Sequence, residues 1–229
     1  MSTDSLTVLY EDNHLLVVNK AAGVLVQGDA TGDPCLLDHA RSYLAERYNK
    51  PGGVFIAAAH RLDRPVSGVV VLARTTKAAA RLAEAFRDGR VEKEYLAVVH
   101  RAPPQDSGEI ETWLLKDGKT NRVTSHLSAV PGSKRAISRY RILDRADGRS
   151  LVALELVTGR SHQLRVHLQT LGCPVVGDLR YGPGPALGPR ILLHCAHMVV
   201  PHPIGGAQHE FRARLPDAWA EHSPFDLDF

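Results

Sequence analysis

The sequence predicts an α+β (mixed α/β) protein, because it carries two different apolar patterns. Short runs rich in β-branched residues, such as Val-Val-Val-Leu-Ala at 69–73, are typical of strands. Other segments place apolar residues three or four positions apart, as at 37–47, which is the spacing of a helix with one buried face. With 44% hydrophobic and 23% charged residues in 229, the composition is that of a folded protein.

The elements follow one another along the whole chain. Thr75 is a helix N-cap candidate and Gly89 ends that helix, while Ser161 is the N-cap candidate of a later helix that Gly172 closes. Strands are predicted at 6–10, 15–19, 54–59, 69–73, 91–99, 137–143, 151–157 and 192–196, and helices at 37–47, 76–88 and 162–171.

The loop between the strands at 54–59 and 69–73 concentrates reactive side chains. It reads His-Arg-Leu-Asp-Arg-Pro-Val-Ser-Gly at 60–68 and holds one carboxylate, Asp63, between Arg61 and Arg64. Neighbouring cations lower the pKa of a carboxyl group, so Asp63 is expected to stay ionised near neutrality. An ionised carboxylate suits a nucleophile or an electrostatic stabiliser. The alternative is a solvated turn held by salt bridges.

Positive charge is concentrated in one region of the chain. The net charge is +3 overall, but residues 116–149 carry nine Lys and Arg against three Asp, a local net charge of +6. This asymmetry predicts a surface that binds a polyanion such as RNA. A solvated basic loop is the alternative.

Several motifs together resemble the RluA-type pseudouridine synthases. The loop at 60–68 is similar to that family's catalytic loop His-Arg-Leu-Asp-x-x-Thr-Ser-Gly, with Val66 in place of Thr. The strand end at 16–23 matches with Ala21 in place of Pro, and Lys93-x-Tyr95 resembles the second motif. Further matches are Thr-Gly-Arg-Ser-His-Gln-Leu-Arg-Val-His-Leu at 158–168, Gly-Asp-x-x-Tyr-Gly at 177–182, and the Leu-His-Cys-Ala and His-Pro pieces at 193–196 and 202–203.

The resemblance implies a pseudouridine synthase fold, with a bent, mostly antiparallel mixed sheet flanked by helices and loops. Residues 1–229 are expected to form a single catalytic domain without a separate N-terminal RNA-binding domain. The implied reaction breaks the N1–C1′ bond of a uridine in RNA, turns the uracil and rejoins it through C5. This isomerisation requires no metal and no cofactor.

The resemblance also assigns the site residues. Asp63 is the catalytic aspartate, Tyr95 stacks on the target base, and Arg165 pairs with the aspartate. A simple surface ion pair of Arg165 with Asp178 is the alternative. Because a base in stacked RNA is out of reach, the enzyme is expected to flip the uridine out. The predicted substrate-binding residues are His60, Arg61, Arg64, Leu192 and Leu193.

Two other functions are compatible with parts of the sequence. A metal-dependent hydrolase could use His162, His167, His194 and His197, but the spacing of these histidines matches no zinc motif. A non-catalytic RNA-binding or RNA-folding protein on the same scaffold would explain the basic region but not Asp63, Tyr95 and Arg165 together.

The expected surroundings are those of a monomeric cytoplasmic protein that acts on tRNA, rRNA or both. Residues 1–5 carry no secretion signal, and no apolar run is long enough to cross a bilayer. Cys35, Cys173 and Cys195 are an odd number at unrelated spacings, which indicates reduced thiols.

Overall fold

The computed structural model describes residues 6–50 and 53–226, so residues 1–5, which bear on the secretion signal, lie outside it. A 3-10 helix, Asp217–Trp219, lies near the end of this range. In chain order the other elements are β1 (Thr7–Glu11), β2 (Leu15–Lys20), α1 (Leu36–Arg47), β3 (Ala57–Ala58), β4 (Ser67–Ala73), α2 (Thr76–Arg87), β5 (Glu92–His100), β6 (Ser107–Asp117), β7 (Arg122–His126), β8 (Lys134–Ala146), β9 (Arg149–Leu156), α3 (Gln163–Thr170), β10 (Leu193–Pro201) and β11 (Gln208–Arg212).

Strand pairing confirms the predicted fold class. Neighbouring strands such as β1 and β2, β2 and β4, and β5 and β9 pair antiparallel. An isolated bridge between Leu25 and Cys35 is parallel. Together with the three α-helices, this is the mostly antiparallel mixed sheet of an α+β protein.

The chain divides into two compact units. The first comprises Met1–Val91 and Cys195–Arg214. Its strands follow the order β1-β2-β4-β10, with β3 paired to β4 and β11 to β10. Strand β4 is buried along its whole length, as its apolar run at 69–73 requires. Helix α2 begins where predicted, because the Thr75 side chain accepts the Ala78 backbone N–H at 3.1 Å.

The second unit comprises Glu92–His194 and Leu215–Phe229. Its strands follow the order β5-β9-β8-β6-β7, and each neighbouring pair is antiparallel. Helix α3 packs against β6, β7 and β8. Buried side chains from these strands and from α3 form one cluster: Leu114, Val123, Ala136, Val166 and Tyr181.

Three predicted strands have clearly different bounds in the structure. The strand predicted at 192–196 runs from Leu193 to Pro201. The strand predicted at 54–59 is reduced to Ala57–Ala58. The strand predicted at 137–143 runs from Lys134 to Ala146. In the part of the chain that the structure describes, no helix combines the length and the apolar character needed to cross a membrane.

Candidate active site

The loop that carries Asp63 is joined to β4 by a side chain. Beyond the Ala58–Leu72 pair of β3 and β4, the His60 Nε2 accepts the Val71 backbone N–H at 2.9 Å. The imidazole ring thus takes the place of a carbonyl group next to the strand ladder. It also stacks on Phe86 of α2, with ring centroids 4.6 Å apart. These two contacts fix the start of the loop.

Asp63 lies in a turn closed by the backbone. The Val66 N–H donates to the Asp63 carbonyl oxygen at 3.0 Å, and the Val66 side chain is buried. The turn therefore closes with Val66 in place of the family's Thr, without a side-chain hydroxyl. Asp63 itself is partly exposed.

Gly68, just after this turn, is required by close backbone packing. Its φ of +119° is one that L residues rarely adopt, and an added Cβ would clash with the backbone of Cys195. Gly68 also pairs with Lys20 in the β2–β4 register, which places the end of β2 beside the loop.

Lys20 is a buried cation under the Asp63 loop. Its side chain is 1% exposed, and its Nζ donates to the carbonyl oxygens of Ala21 (2.9 Å), Val24 (2.8 Å) and Arg64 (3.3 Å). Burial lowers the pKa of Lys20 to about 7, and the negative charge of Asp63 opposes that shift. Within the first unit, the structure thus brings Lys20 and Asp63 together.

The two arginines that flank Asp63 have different surroundings. Arg64 donates from Nε to the Gly23 carbonyl oxygen at 2.9 Å and forms an ion pair with Asp33 at 2.7 Å. Arg61 is exposed and has no hydrogen-bond or ion-pair partner among residues 6–50 and 53–226. Of the two, Arg61 is therefore the one with donors available for a ligand.

In the second unit, helix α3 carries Arg165, as predicted, but Ser161 is not its N-cap. His162 occupies that position with φ +54°, and its side chain makes no cap hydrogen bond. The Gln163 side chain organises the turn instead, since its Oε1 accepts the Arg160 N–H at 3.0 Å and the Thr158 hydroxyl at 2.8 Å. Its Nε2 donates to the Ile137 carbonyl oxygen at 2.9 Å, which ties α3 to β8.

A buried polar chain continues this attachment. Gln163 Nε2 donates to Ser138 Oγ at 2.8 Å, and Ser138 Oγ lies 3.0 Å from His167 Nδ1. His167 Nε2 lies 3.0 Å from the Thr112 hydroxyl of β6. Burial lowers the pKa of His167 to about 4, so the imidazole is neutral at ordinary pH. The helix is thereby fixed against two strands.

Arg165 forms a buried two-point ion pair with Asp178. Its Nε and one terminal nitrogen donate to the Asp178 carboxylate at 2.7 and 2.9 Å, and the two side chains are 7% and 1% exposed. The alternative of a surface ion pair named the correct partner, Asp178. Its location was wrong, because the pair is buried. Asp178 also accepts the backbone N–H groups of Arg180 and Tyr181.

The Tyr181 ring lies against the same guanidinium group. The Arg165 carbon Cζ is 5.0 Å from the ring centroid. The Tyr181 hydroxyl accepts the Val123 backbone N–H at 2.9 Å and lies 2.7 Å from His162 Nδ1. Arg165, Asp178 and Tyr181 thus form one connected group within the second unit.

The other predicted residues of this unit are buried in its sheet. Tyr95 on β5 is 6% exposed and pairs with Leu154 of β9. Leu192 is fully buried, and its backbone bridges Val98 and Val176 at 3.0 Å each. Leu193 begins β10 and is 3% exposed.

The histidines of the metal hypothesis have other surroundings. His162 and His167 contact hydroxyl groups, as described above, and His194 is buried with its ring 6.1 Å from that of Trp219. Among residues 6–50 and 53–226, no group of three or more His, Cys, Asp or Glu is placed to hold a metal ion.

Part of the basic region is already paired with carboxylates. Arg135 forms two hydrogen bonds with Glu111, Arg139 pairs with Glu109 and Glu155, and Arg145 pairs with Asp106. All four carboxylates lie outside residues 116–149. The local charge of +6 counted along the sequence therefore overstates the field of this surface.

Sequence reasoning did not give Lys20 or Tyr181 a role, and it named Asp178 only in the alternative of a surface ion pair with Arg165. Lys20 had a signal, because it is a charged residue at the end of a mostly apolar strand. Asp178 and Tyr181 belong to the Gly-Asp-x-x-Tyr-Gly motif, which the resemblance included without a function for either residue.

Comparisons with known proteins agree with this architecture. A family model described as RNA pseudouridylate synthase matches residues 14–170. The chain is 38% identical over 213 residues to the dual-specificity RNA pseudouridine synthase RluA of Haemophilus influenzae, covering 91% of this chain and 93% of that protein. It is 34% identical over 222 residues to the ribosomal large subunit pseudouridine synthase D of Zymomonas mobilis, covering 92% and 69% respectively.

Two solved structures are similar to this protein in fold. Human RNA pseudouridylate synthase domain containing 1 is 27% identical with a TM-score of 0.73, covering 95% of this chain and 85% of that one. Human RNA pseudouridylate synthase domain containing 4 shares the fold with a TM-score of 0.78 at 24% identity, covering 93% and 90%. The family match and the identity along most of the chain show that this protein belongs to the RNA pseudouridylate synthase family.

Proposed function

We propose that Asp63, Tyr95 and Arg165 are the catalytic residues with which this pseudouridine synthase isomerises uridine in RNA. The predicted activity itself is confirmed by family membership. In the reaction the N1–C1′ bond breaks and a C5–C1′ bond forms, while the proton on C5 is lost and N1 gains one. Reactant and product are isomers, so the proposed mechanism uses no redox or group-carrying cofactor.

The observation that carries the assignment of Asp63 is the way its loop is held. The family's His-Arg-Leu-Asp motif is fixed by the His60 ring at its start, by the Val66 N–H in its turn and by buried Lys20 below. A carboxylate held in one position near a cation suits nucleophilic or base chemistry at a sugar or a uracil. These contacts support a loop-holding role for His60 beside its predicted part in substrate binding.

Arg165 is proposed as the cationic residue that the family motif assigns to the aspartate, and Tyr95 as the ring on which the flipped uracil stacks. The polar attachment of α3 and the ion pair with Asp178 support the first role, because they leave the guanidinium little freedom. Arg61, Arg64, Leu192 and Leu193 are proposed to contact the RNA around the flipped base. Of these, exposed Arg61 is the best placed to reach a phosphate.

The proposed substrates are structured tRNA, rRNA or both. One relative that spans nearly the same length is named dual-specificity, and another is named for the ribosomal large subunit. We also propose that the protein acts as a monomer in the cytoplasm. Its three cysteines are buried and form no disulfide, which suits a reducing compartment. Light scattering on the purified chain tests the monomer.

The test is a pseudouridine map of tRNA and rRNA from cells with and without the gene. A site that loses the modification, and regains it with the wild type but not with Asp63→Asn, supports both the activity and the role of Asp63. Asp88→Asn removes an exposed carboxylate of the first unit and is the matched control, expected to restore the site fully. Modification restored by Asp63→Asn would contradict the catalytic role. An unchanged map would favour the RNA-binding alternative.

A further inference from the structure

A cavity of about 420 Å³ in the second unit, open to solvent over most of its surface, is lined by three arginines. It lies where β5 ends and β8 turns into β9. Its lining includes Arg101, Arg145 and Arg149 together with Asp147, Gly148 and Ser150. None of these residues belongs to the group around Arg165 described above.

The turn geometry brings the backbones of these arginines close together. Asp147 and Gly148 have φ of +50° and +70°, which produces a tight two-residue connection between the strands. Arg145 therefore lies opposite Ser150, and Arg149 lies opposite Ala146. The chain leaving β5 joins the turn, because the Arg101 N–H donates to the Gly148 carbonyl oxygen at 3.0 Å.

Two of the arginines are held and the third is not. Arg145 donates to Asp106 and Arg149 to the His222 carbonyl oxygen, each at 2.5 Å. An arginine has five N–H donors, so both retain donors for a ligand. Arg101 is exposed, and its guanidinium has no hydrogen-bond or ion-pair partner in the part of the chain that the structure describes.

A further observation indicates that the cavity favours an anion. Burial and the charges of Arg149 and Arg101 all lower the pKa of His100, so the local field is positive despite Asp147.

We propose that this cavity binds a backbone phosphate of the RNA substrate, a contact that rests on the proposed function. Guanidinium groups match the geometry of phosphate oxygens, and the RNA backbone is the phosphate polymer that this enzyme meets. His100 lies five residues after Tyr95 on β5, a separation of about 17 Å along a strand. The phosphate bound here therefore belongs to a nucleotide distant from the flipped uridine.

The first test measures kinetics with Arg101→Glu, which changes an exposed side chain. Two substrates are compared. One is the full-length RNA identified by the pseudouridine map, and the other is the shortest stem-loop from that RNA that the enzyme still converts. On the full-length RNA we expect KM to rise about tenfold with kcat unchanged, the loss typical of one charge-assisted contact. On the stem-loop we expect no change in KM. Arg87→Glu, at another exposed arginine, is the control for net charge.

The second test does not depend on activity. The NMR signal of the His100 imidazole is identified by its loss in His100→Gln. It is followed over pH without a ligand, with inorganic phosphate and with the full-length RNA, which gives the pKa of His100 in each case. An anion in the cavity offsets the positive charges of Arg101 and Arg149, which lower the pKa of His100. The pKa of His100 should therefore rise in the wild type and not in Arg101→Glu.

The outcomes separate the sources of phosphate. A response to RNA that Arg101→Glu abolishes supports the proposal. A response to inorganic phosphate with an unchanged KM for RNA assigns the cavity to free phosphate and overturns the RNA contact. No response to either probe, or equal effects of Arg101→Glu and Arg87→Glu on KM, overturns the site. If Arg101→Glu raises KM equally for the stem-loop and for the full-length RNA, the bound phosphate is not distant from the flipped uridine, and that part of the proposal is wrong.

Discussion

Arg165 and Asp178 share two hydrogen bonds of 2.7 and 2.9 Å in a nearly water-free environment. A planar guanidinium bound at two points cannot rotate about its own axis, so Asp178 fixes the direction in which the remaining donors of Arg165 point. Asp178 is therefore a positioning residue for the proposed catalytic arginine.

Asp178→Asn should reduce both stability and turnover. The change removes the negative charge that binds the buried guanidinium at two points, so the free energy of unfolding should fall by about 3 kcal/mol in urea denaturation. If Asp178 positions Arg165, kcat should fall while KM changes little. Glu155→Gln, at an exposed partner of Arg139, is the control and should stay within about 0.5 kcal/mol of wild type. An unchanged kcat in a folded Asp178→Asn protein would contradict the positioning role.

Tyr181→Phe should separate the hydroxyl group from the ring. The variant leaves the buried Val123 N–H without its acceptor, which should lower the free energy of unfolding by about 1–3 kcal/mol. The ring next to Arg165 is retained, so kcat should stay close to wild type. Tyr181→Leu also removes the ring and should lower kcat as well. Equal kcat values for the two variants would show that the ring contact has no part in turnover.

Gly68→Ala should be strongly destabilising. The new Cβ would meet the Cys195 backbone at a φ of +119°, and the sum of strain and overpacking is about 3 kcal/mol or more. Gly28→Ala is the matched control in the same unit, because nothing lies within 4 Å of an added Cβ there. Thermal denaturation of both variants tests the difference, and similar melting temperatures would disprove the close approach.

Acid should destabilise the protein partly through His167. Its pKa is about 4 in the folded state and about 6.5 in an unfolded chain, so between these values the unfolded chain binds the extra proton. The contribution of His167 to the free energy of unfolding is fully present above pH 6.5. It decreases between pH 6.5 and pH 4 by up to about 1.4 kcal/mol per pH unit. Urea denaturation at pH 7 and pH 5 should show a smaller acid loss in His167→Gln. An equal loss in both proteins would mean that His167 is not buried in its neutral form.

The salt dependence of RNA binding should distinguish two arginines on the same strand. Arg139 and Arg141 are both exposed on β8, two residues apart, but Arg139 is paired with two glutamates. If Arg141 neutralises an RNA phosphate, Arg141→Ala should reduce the slope of log K against log salt by about one. Arg139→Ala should change the slope much less. Equal changes would show that the carboxylates do not offset Arg139.

The sequence predicted the elements whose apolar pattern is uniform. Strands β2 and β4 and helices α1 and α2 lie within one or two residues of their predicted bounds, since burial of one face or of a whole strand leaves a readable pattern. Gly172 ends α3 as expected, with φ +76°. The family motifs identified the loop of Asp63 and the helix of Arg165 correctly.

Features that depend on distant side chains could not be predicted. The strand around Ala57–Ala58 is short because the His60 ring, not a backbone carbonyl, accepts the next N–H of β4. Strand β8 extends to Lys134 because cross-strand glutamates support its charged face, where no apolar pattern exists. Ser161 has the right residue type for an N-cap, but the Gln163 side chain accepts the Arg160 N–H and organises that turn instead.

Lys20 connects two loops that are distant in sequence. Its Nζ binds Val24 in one and Arg64 in the other, while the Gly23 N–H donates to the Arg64 carbonyl oxygen at 2.8 Å and Arg64 Nε donates back to Gly23. Neither loop can detach without breaking the bonds of the other, so the two form a single unit of local unfolding. The amide hydrogens of residues 23, 24, 63, 64 and 66 should therefore exchange with solvent at a common rate. A substrate would then meet Asp63 on a preformed surface, so the change of conformation on binding takes place in the RNA.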